Sequence, residues 1–372
     1  MILGYDATTV TGQLSGVGYY TSRLLASLAN GAGRGVVDRL VVLSNREMSL
    51  DPGPRVSLYE GGRFPVRSVW MQFVLPGILR RLRPDVVHYT NYLAPVRAQV
   101  PYVVSVHDMS VSLMPQFHTL KKRLLTSRLV PVVARAASLV LTPSENTRRD
   151  VVRLLRLDPA RVRVIPYAPA PTFRPVTTGR ERLRALGLEG PYFLYVGTLE
   201  PRKNLARALR AFARVAPSLS GHRFVIVGQR GWKYDDVLHE VARDELRGRV
   251  DLLGYVAEED LPALYSHATA FVYPSLYEGF GLPVVEAMAC GTPVLTSRSS
   301  SLSEIAEGSA LLADPYDEAA LADGLHALAT DESLRADLRA RGLKQAAGFT
   351  WERTGRETAQ AYREVYEDRS AR

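Results

Sequence analysis

Short apolar runs recur along the chain, each closed by polar or small residues. In the first half they occupy residues 2–5, 40–43, 86–89, 102–106, 139–142 and 162–165. Between several of them the apolar positions fall at helical spacing, as in 19–29 and 120–136. Strands that are apolar throughout, alternating with helices, predict a parallel sheet covered on both faces. Residues 166–175 then hold four prolines in ten positions, which no helix tolerates and which predicts a semi-rigid linker. The alternation restarts at 192–196, 224–227, 250–253, 270–273, 294–296 and 310–312. The pattern predicts an α/β protein of two doubly wound halves, 1–170 and 171–350. A charged helix over 351–369 is expected to return and pack across their interface. Ligands of such sheets sit beyond the carboxyl ends of the strands, a common place for a small-molecule site.

The 372 residues suffice for two cores. A single cysteine, Cys290, builds neither a disulfide framework nor a Cys-based zinc site, which fits a reducing, cytosolic setting. The start has no charged n-region or long apolar stretch, so no signal peptide is expected. No window approaches the ~20 uninterrupted apolar residues of a spanning helix. The net charge of +9 is uneven: residues 1–170 carry 22 Lys and Arg against 10 Asp and Glu, residues 171–372 carry 25 against 28. A basic half suits nucleic acid, an anionic membrane surface or an acidic substrate; an arginine-rich compositional bias gives the same count.

Residues 277–293 carry the densest chemistry. Pro283 suits the first turn of a helix, Gly291 its C-terminal stop, and Pro293 lies beyond. The segment reads as strand, glycine-rich loop, short helix. Gly279 and Gly281 let backbone approach a ligand, and the N–H groups that follow suit an anion. Glu278 in the loop and Glu286 in the first helical turns accept hydrogen bonds from hydroxyl pairs, as a ribose and a hexose present them. A helix with an acidic start explains Glu286 alone. It does not explain two glycines around Phe280 beside a second carboxylate.

Upstream, Gly197-Thr198-Leu199-Glu200-Pro201-Arg202-Lys203-Asn204 follows a predicted strand and enters a helix. Two cations at a helix entrance conflict with the dipole, which prefers anions there. An incoming diphosphate resolves the conflict: Arg202 grips it bidentately and Lys203 adds a point charge. A solvated surface pair is the plain alternative; the strand-end position and the turn at Gly197 favour a ligand.

Glu278 and Glu286 have seven residues between them, in Phe-Gly-Leu-Pro and Glu-Ala-Met-Ala-Cys-Gly-Thr-Pro-Val surroundings. The segment resembles the E-x7-E motif of the family 4 glycosyltransferases. The resemblance implies a GT-B fold, two Rossmann-like domains facing across a cleft, and retaining transfer of a sugar from a nucleoside-diphosphate donor. It implies that Glu278 lies near the donor-sugar hydroxyls and Glu286 near the ribose, with backbone around Phe280, Gly281 and Leu282 holding the donor. The loop at 197–204 is similar to the family's donor-diphosphate loop, although some relatives carry Arg where this chain has Thr198, which leaves fewer cations on the phosphates.

In the first half, Gly16 and Gly18 precede a helix. The pair resembles part of a dinucleotide fingerprint, but Thr21 stands at the third glycine position and the loop from Tyr5 is long, which disfavours a nicotinamide-dependent oxidoreductase. The loop looks more like the glycine-rich first loop of family 4 enzymes, which approaches the donor phosphates. His107 and Asp108 fall at a strand end, where a lone histidine is usually structural and Asp108 would orient it. The family has a histidine at the matching place, which implies donor positioning and leaving-group-side electrostatics for His107. No Asp-x-Asp occurs. Arg202, Lys203, the glycine-loop amides and a helix N-terminus are therefore expected to replace a metal electrostatically, and no cofactor is expected.

Gly254, Tyr255 and residues 260–265 resemble the family's base-recognition strand and helix. Loop 228–232 reads equally as a cover for the nucleotide and as an ordinary loop. His88 and residues 90–92 are candidates to face the acceptor. Lys121, Lys122, Arg123 and Arg128, interleaved with apolar residues, read as a helix docked on anionic lipid or, equally, as a half-buried helix with its cations in water. The resemblance favours bacterial mannosyltransferases of polysaccharide assembly: GDP-mannose as donor, with UDP-glucose-type donors open, and a glycan or lipid-linked acceptor. It implies a cytoplasmic protein, or one peripheral on the inner face of the membrane. A GT-B sugar-nucleotide epimerase and a non-catalytic nucleotide-sugar binding protein are the alternatives.

Overall fold

The computed structural model describes residues 1–10, 14, 16–46, 48, 56–60, 64 and 66–370. The chain divides into two compact units, Met1–Tyr167 with Thr350–Arg372, and Ala168–Phe349. Part of the glycine-rich first loop, residues 11–13 and 15, lies outside the described residues.

Among the described residues, unit 1 holds seven parallel strands: β1 (Ile2–Asp6), β2 (Arg39–Ser44), β3 (Val56–Glu60), β4 (Val86–Tyr89), β5 (Tyr102–Ser105), β6 (Leu139–Thr142) and β7 (Val162–Val164). Their order is β3-β2-β1-β4-β5-β6-β7. Every residue of β4, β5 and β6 is buried, as a parallel sheet covered on both faces requires. One core layer is built around Trp70, Leu75, Val104 and Val140, the other around Tyr5, Leu24, Leu141 and Tyr362. The helix Trp351–Ser370 contributes Ala359, Ala361, Tyr362 and Val365 to that second layer, so it completes the core of unit 1. Gly355 permits the approach: a Cβ there would lie 2.3 Å from Ser27 Oγ.

Unit 2 holds six parallel strands: β8 (Tyr192–Val196), β9 (Arg223–Val227), β10 (Val250–Gly254), β11 (Ala270–Tyr273), β12 (Val294–Ser297) and β13 (Leu311–Ala313), in the order β10-β9-β8-β11-β12-β13. Each sheet reverses its winding beside its first strand, between β1 and β4 and between β8 and β11. Loops leaving the strand ends at such a point diverge and open a crevice. No helix among the described residues is long and apolar enough to cross a membrane.

Candidate active site

In unit 2 the chain leaves β8, passes Gly197 and makes one 3-10 turn at Pro201–Lys203 before the helix Leu205–Val215. Asn204 separates turn from helix in the left-handed conformation (φ 59°); its amide donates to the carbonyls of Pro274 and Pro315 at 3.1 and 2.7 Å. Arg202 and Lys203 therefore stand ahead of the helix. The Leu276 N–H donates to the Arg202 carbonyl at 2.9 Å, which ties this turn to the loop after β11.

That tie puts Glu278 on both cations. Lys203 Nζ donates to Glu278 Oε1 at 2.6 Å, and Arg202 Nη1 lies 3.0 Å from Oε2. Arg202 Nη2 donates to Glu200 at 2.5 Å, and Nη1 also to the Tyr277 carbonyl. Lys203 donates further to the Tyr273 hydroxyl at 2.6 Å, and the Ser275 hydroxyl to Glu278 Oε1 at 2.5 Å. The four charged side chains are only 5–11% exposed. Two cations thus face two carboxylates, so the conflict that the sequence leaves to a diphosphate is already relieved within the protein by Glu200 and Glu278. Burial pushes the Glu278 carboxyl up, but Arg202 and Lys203 outweigh it and hold it down to about 2. Burial lowers the Lys203 pKa against the pull of Glu278.

The carboxylate loop is braced by two serines. The Glu278 N–H donates to Ser300 Oγ at 3.0 Å, and the Ser301 hydroxyl reaches the carbonyls of Glu278 and Phe280 at 2.9 and 2.8 Å. Gly281 sits at φ 104°, and a Cβ there would come within 2.6 Å of Leu302. The Phe280 ring is buried edge-on against Phe349, 5.6 Å between centroids. The helix Leu282–Ala289 then begins, with Pro283 in its first turn. The first N–H groups of any helix lack intrahelical acceptors. Glu286, in the second turn, accepts a hydrogen bond from the Tyr265 hydroxyl at 3.2 Å. Tyr265 lies on the helix Leu261–His267, the one likened to a base-recognition element. Gly254 ends β10, its carbonyl accepting the Gly228 N–H at 2.7 Å, and Tyr255 is exposed beside it. A Cβ on Gly228 would stand 2.0 Å from the Gly197 carbonyl oxygen, so these two loops meet backbone to backbone.

In unit 1 Gly16 opens the helix Gly16–Ser27 and is exposed, while Gly18 is buried near the Thr9 carbonyl. The Thr21 and Thr90 hydroxyls lie 3.0 Å apart, and Thr90 Oγ1 donates to the Asp6 carbonyl at 2.8 Å. Threonine rather than glycine at position 21 thus ties the helix to the ends of β1 and β4. His107 follows β5 and is half-buried. Its Nε2 lies 2.8 Å from the Thr90 carbonyl and its Nδ1 2.6 Å from the Tyr167 hydroxyl. Burial lowers its pKa. Asp108, expected to orient this ring, instead accepts the Ser110 N–H at 2.7 Å. His88 does not face an acceptor: it is fully buried between Tyr362 (2.7 Å) and Ser105 (2.9 Å), and burial pushes it down to about 3.

The structure therefore gathers Arg202, Lys203 and Glu278 in one cluster in unit 2 and puts His107 in unit 1. Sequence reasoning misses four partners. Tyr273 ends an apolar run and Glu200 stands within the cationic loop, which are weak signals; Ser275 and Tyr167 carry none. Among the described residues no group of three or more His, Cys, Asp or Glu is placed to hold a metal ion.

Comparison with known proteins agrees with this layout. The family described as Glycosyl transferases group 1 matches residues 182–345, and that described as Glycosyltransferase Family 4 matches residues 14–168. O-antigen chain mannosyltransferase B of Escherichia coli is 36% identical over 311 residues, covering 80% of this chain and 77% of that protein. Sucrose-phosphate synthase from Thermosynechococcus elongatus superposes with a TM-score of 0.81 at 22% identity, over 99% of both chains. Anabaena HepE, solved in complex with UDP and glucose, superposes with a TM-score of 0.76 at 20% identity, over 97% of this chain and 99% of that one. With the 36% identical relative over 80% of the chain, family matches on both units and a fold match over 99% of its length, the chain belongs to the family 4 glycosyltransferases and has their GT-B fold.

Proposed function

We propose that this glycosyltransferase moves a hexose, mannose first among candidates, from a nucleoside-diphosphate donor to a glycan or lipid-linked acceptor with retention of configuration. The observation that carries the reading is the buried Arg202–Lys203–Glu278 cluster at the β8/β11 switch point. Arg202 and Lys203 would meet the diphosphate and stabilise the charge that builds on it as it departs. They and the helix start at Leu282 would do this without a metal. Glu278 would accept from the donor-sugar hydroxyls, Glu286 from the ribose, with the backbone of Gly197, Phe280, Gly281 and Leu282 and the Gly254–Tyr255 turn around the nucleotide. On unit 1, Gly16 and Gly18 would approach the phosphates, and His107 would position the sugar. With both His107 nitrogens engaged, the departing phosphate is the better recipient of the acceptor proton. Mannose and GDP are favoured by the O-antigen mannosyltransferase relative, and a nucleoside-diphosphate donor by the UDP bound to Anabaena HepE.

The acceptor reading includes contact with anionic lipid. On the helix Leu120–Ala136, Lys122, Arg123 and Arg128 are exposed together with Leu120, Leu124 and Leu125. A half-buried helix with its cations in water would hide those leucines; exposing both kinds suits a lipid surface.

The test is calorimetric binding of GDP-mannose and UDP-glucose beside a transfer assay with lipid-linked acceptors. Tight binding of GDP-mannose and an α-linked product, unchanged by a chelator, are expected. Failure of both donors to bind would overturn the reading, and an altered sugar released without acceptor would replace it with epimerisation.

A further inference from the structure

The proline-rich segment at 166–175 reads in the sequence as a linker, yet its second residue is the partner of His107. We propose that the Tyr167 hydroxyl fixes the tautomer and orientation of the His107 ring, which makes Tyr167 a positioning residue for glycosyl transfer. The functional half of this inference rests on the donor-facing reading of His107.

The proton assignment follows from the acceptor. The Thr90 carbonyl oxygen, 2.8 Å from His107 Nε2, has no proton to give, so Nε2 carries the hydrogen. Nδ1 is then a lone pair, and the Tyr167 hydroxyl at 2.6 Å donates to it. Burial raises the Tyr167 pKa well above its ordinary value, so that hydroxyl keeps its proton. The charged groups that act on the ring oppose one another: Asp108 favours the imidazolium, Arg67 disfavours it, and burial outweighs both.

Tyr167 is itself held from several sides. Its ring lies 4.5 Å from that of Tyr20, and Tyr20 packs edge-on to His107 at 5.0 Å. The Tyr20 hydroxyl is 2.8 Å from Ser105 Oγ. The preceding Pro166 carbonyl accepts the Thr354 hydroxyl at 2.7 Å, which anchors the segment to the helix Trp351–Ser370. Tyr167 is also the last residue of unit 1 before the chain crosses into unit 2 at Ala168. A neutral imidazole with both nitrogens held offers the donor a fixed dipole and a carbon edge, and exchanges no proton with it.

The test uses full-length protein labelled with ¹⁵N-histidine, the His107 signals being identified by their loss in His107→Gln. The native protein is expected to show a single neutral Nε2–H form with a hydrogen-bonded Nδ1 at about pH 8, and to keep it to lower pH than a free imidazole does. Tyr167→Phe keeps the ring and removes the donor. It is expected to shift the Nδ1 resonance and to lower kcat about tenfold while the donor KM moves less than about twofold. An Nδ1–H form in the native protein, which needs no variant to detect, or an unmoved Nδ1 resonance in Tyr167→Phe, would overturn the assignment. Full activity of His107→Gln with a moved resonance in Tyr167→Phe would discard the donor-facing reading and leave the assignment standing.

Discussion

Glu278→Gln removes one negative charge from a buried cluster of two cations and two carboxylates while keeping its shape. Arg202 and Lys203 are then left with Glu200 alone, and the cluster becomes net positive. A nucleoside diphosphate should therefore bind at least as tightly, while sugar transfer falls by ~100-fold or more, the scale of losing one preorganised polar contact to the reacting group. Stability should fall as well, because breaking a buried pair typically costs about 3–5 kcal/mol. Titration with GDP beside a transfer assay checks this, and weakened diphosphate binding would contradict it. Lys203→Ala should do the opposite to binding and lower diphosphate affinity about tenfold or more. The buried histidine gives a pH prediction. His88 is pushed from 6.5 to about 3, so the unfolded chain takes up the proton first as pH falls. Stability is lost on lowering the pH through that window, by about 1.4 kcal/mol per unit from this one group. Thermal unfolding of His88→Gln should show a shallower decline below pH 6.5 than the native protein, and equal slopes would refute the assignment. Glu278 and the two cations are legible in the sequence because each breaks a local rule, a carboxylate among glycines or a cation pair at a helix entrance. Tyr273 and Tyr167 are ordinary residues whose roles arise only when the fold brings positions 70 and 60 residues apart together, and Ser275, three residues from Glu278, carries no pattern of its own.

At the level of elements, twelve of the strands follow from apolar runs to within two residues, most sharply β4, β5 and β6, because a strand buried on both faces has no polar positions to blur it. The exception is β3: its Val56-Ser57-Leu58-Tyr59-Glu60 mixes polar and apolar positions at the sheet edge, where one side of the strand needs no partner. The 3-10 turn at Pro201–Lys203 is likewise silent, since a single turn has no periodicity to detect. Loop 228–232 reads two ways in the sequence; the structure gives Gly228 a packing reason, and Gly228→Ala tests it. Its Cβ would force the loop off the Gly197 carbonyl, so a lower unfolding temperature and weaker nucleotide binding are expected together. A variant that binds nucleotide like the native protein would show that the two loops need not touch. For the helix Leu120–Ala136, reversing two exposed cations in Lys122→Glu/Arg123→Glu should weaken binding to anionic vesicles. At about 1 kcal/mol per basic residue the loss is ~30-fold. Co-sedimentation that stays unchanged would remove the lipid contact from the reading.

Across the whole molecule, the chain order does not follow the division into units: the last helix belongs with the first sheet. The strands of unit 1 end at Val164, yet its core remains open until Trp351–Ser370 supplies Ala359, Ala361, Tyr362 and Val365. Tyr362 also gives the buried His88 one of its two ring partners. The Ser27 hydroxyl bonds the Trp351 carbonyl at 2.6 Å, and Arg163 pairs with Glu364 at 2.6 Å. Burying a large apolar side chain contributes roughly 1.5–3 kcal/mol, so losing two such chains and two alanines removes a large share of the roughly 5–15 kcal/mol that holds a domain. An unpaired buried His88 nitrogen adds to the cost. Truncation after Phe349 should therefore unfold unit 1 while unit 2, whose contacts close within Ala168–Phe349, stays folded. Hydrogen exchange on the truncated chain reads both at once: rapid exchange throughout β1, β4 and β5 is expected, with β8, β9 and β11 still protected. Protection retained in β4 would mean that the first sheet closes without its last helix, and the C-terminal segment would then be a peripheral element of unit 1 instead of part of its core.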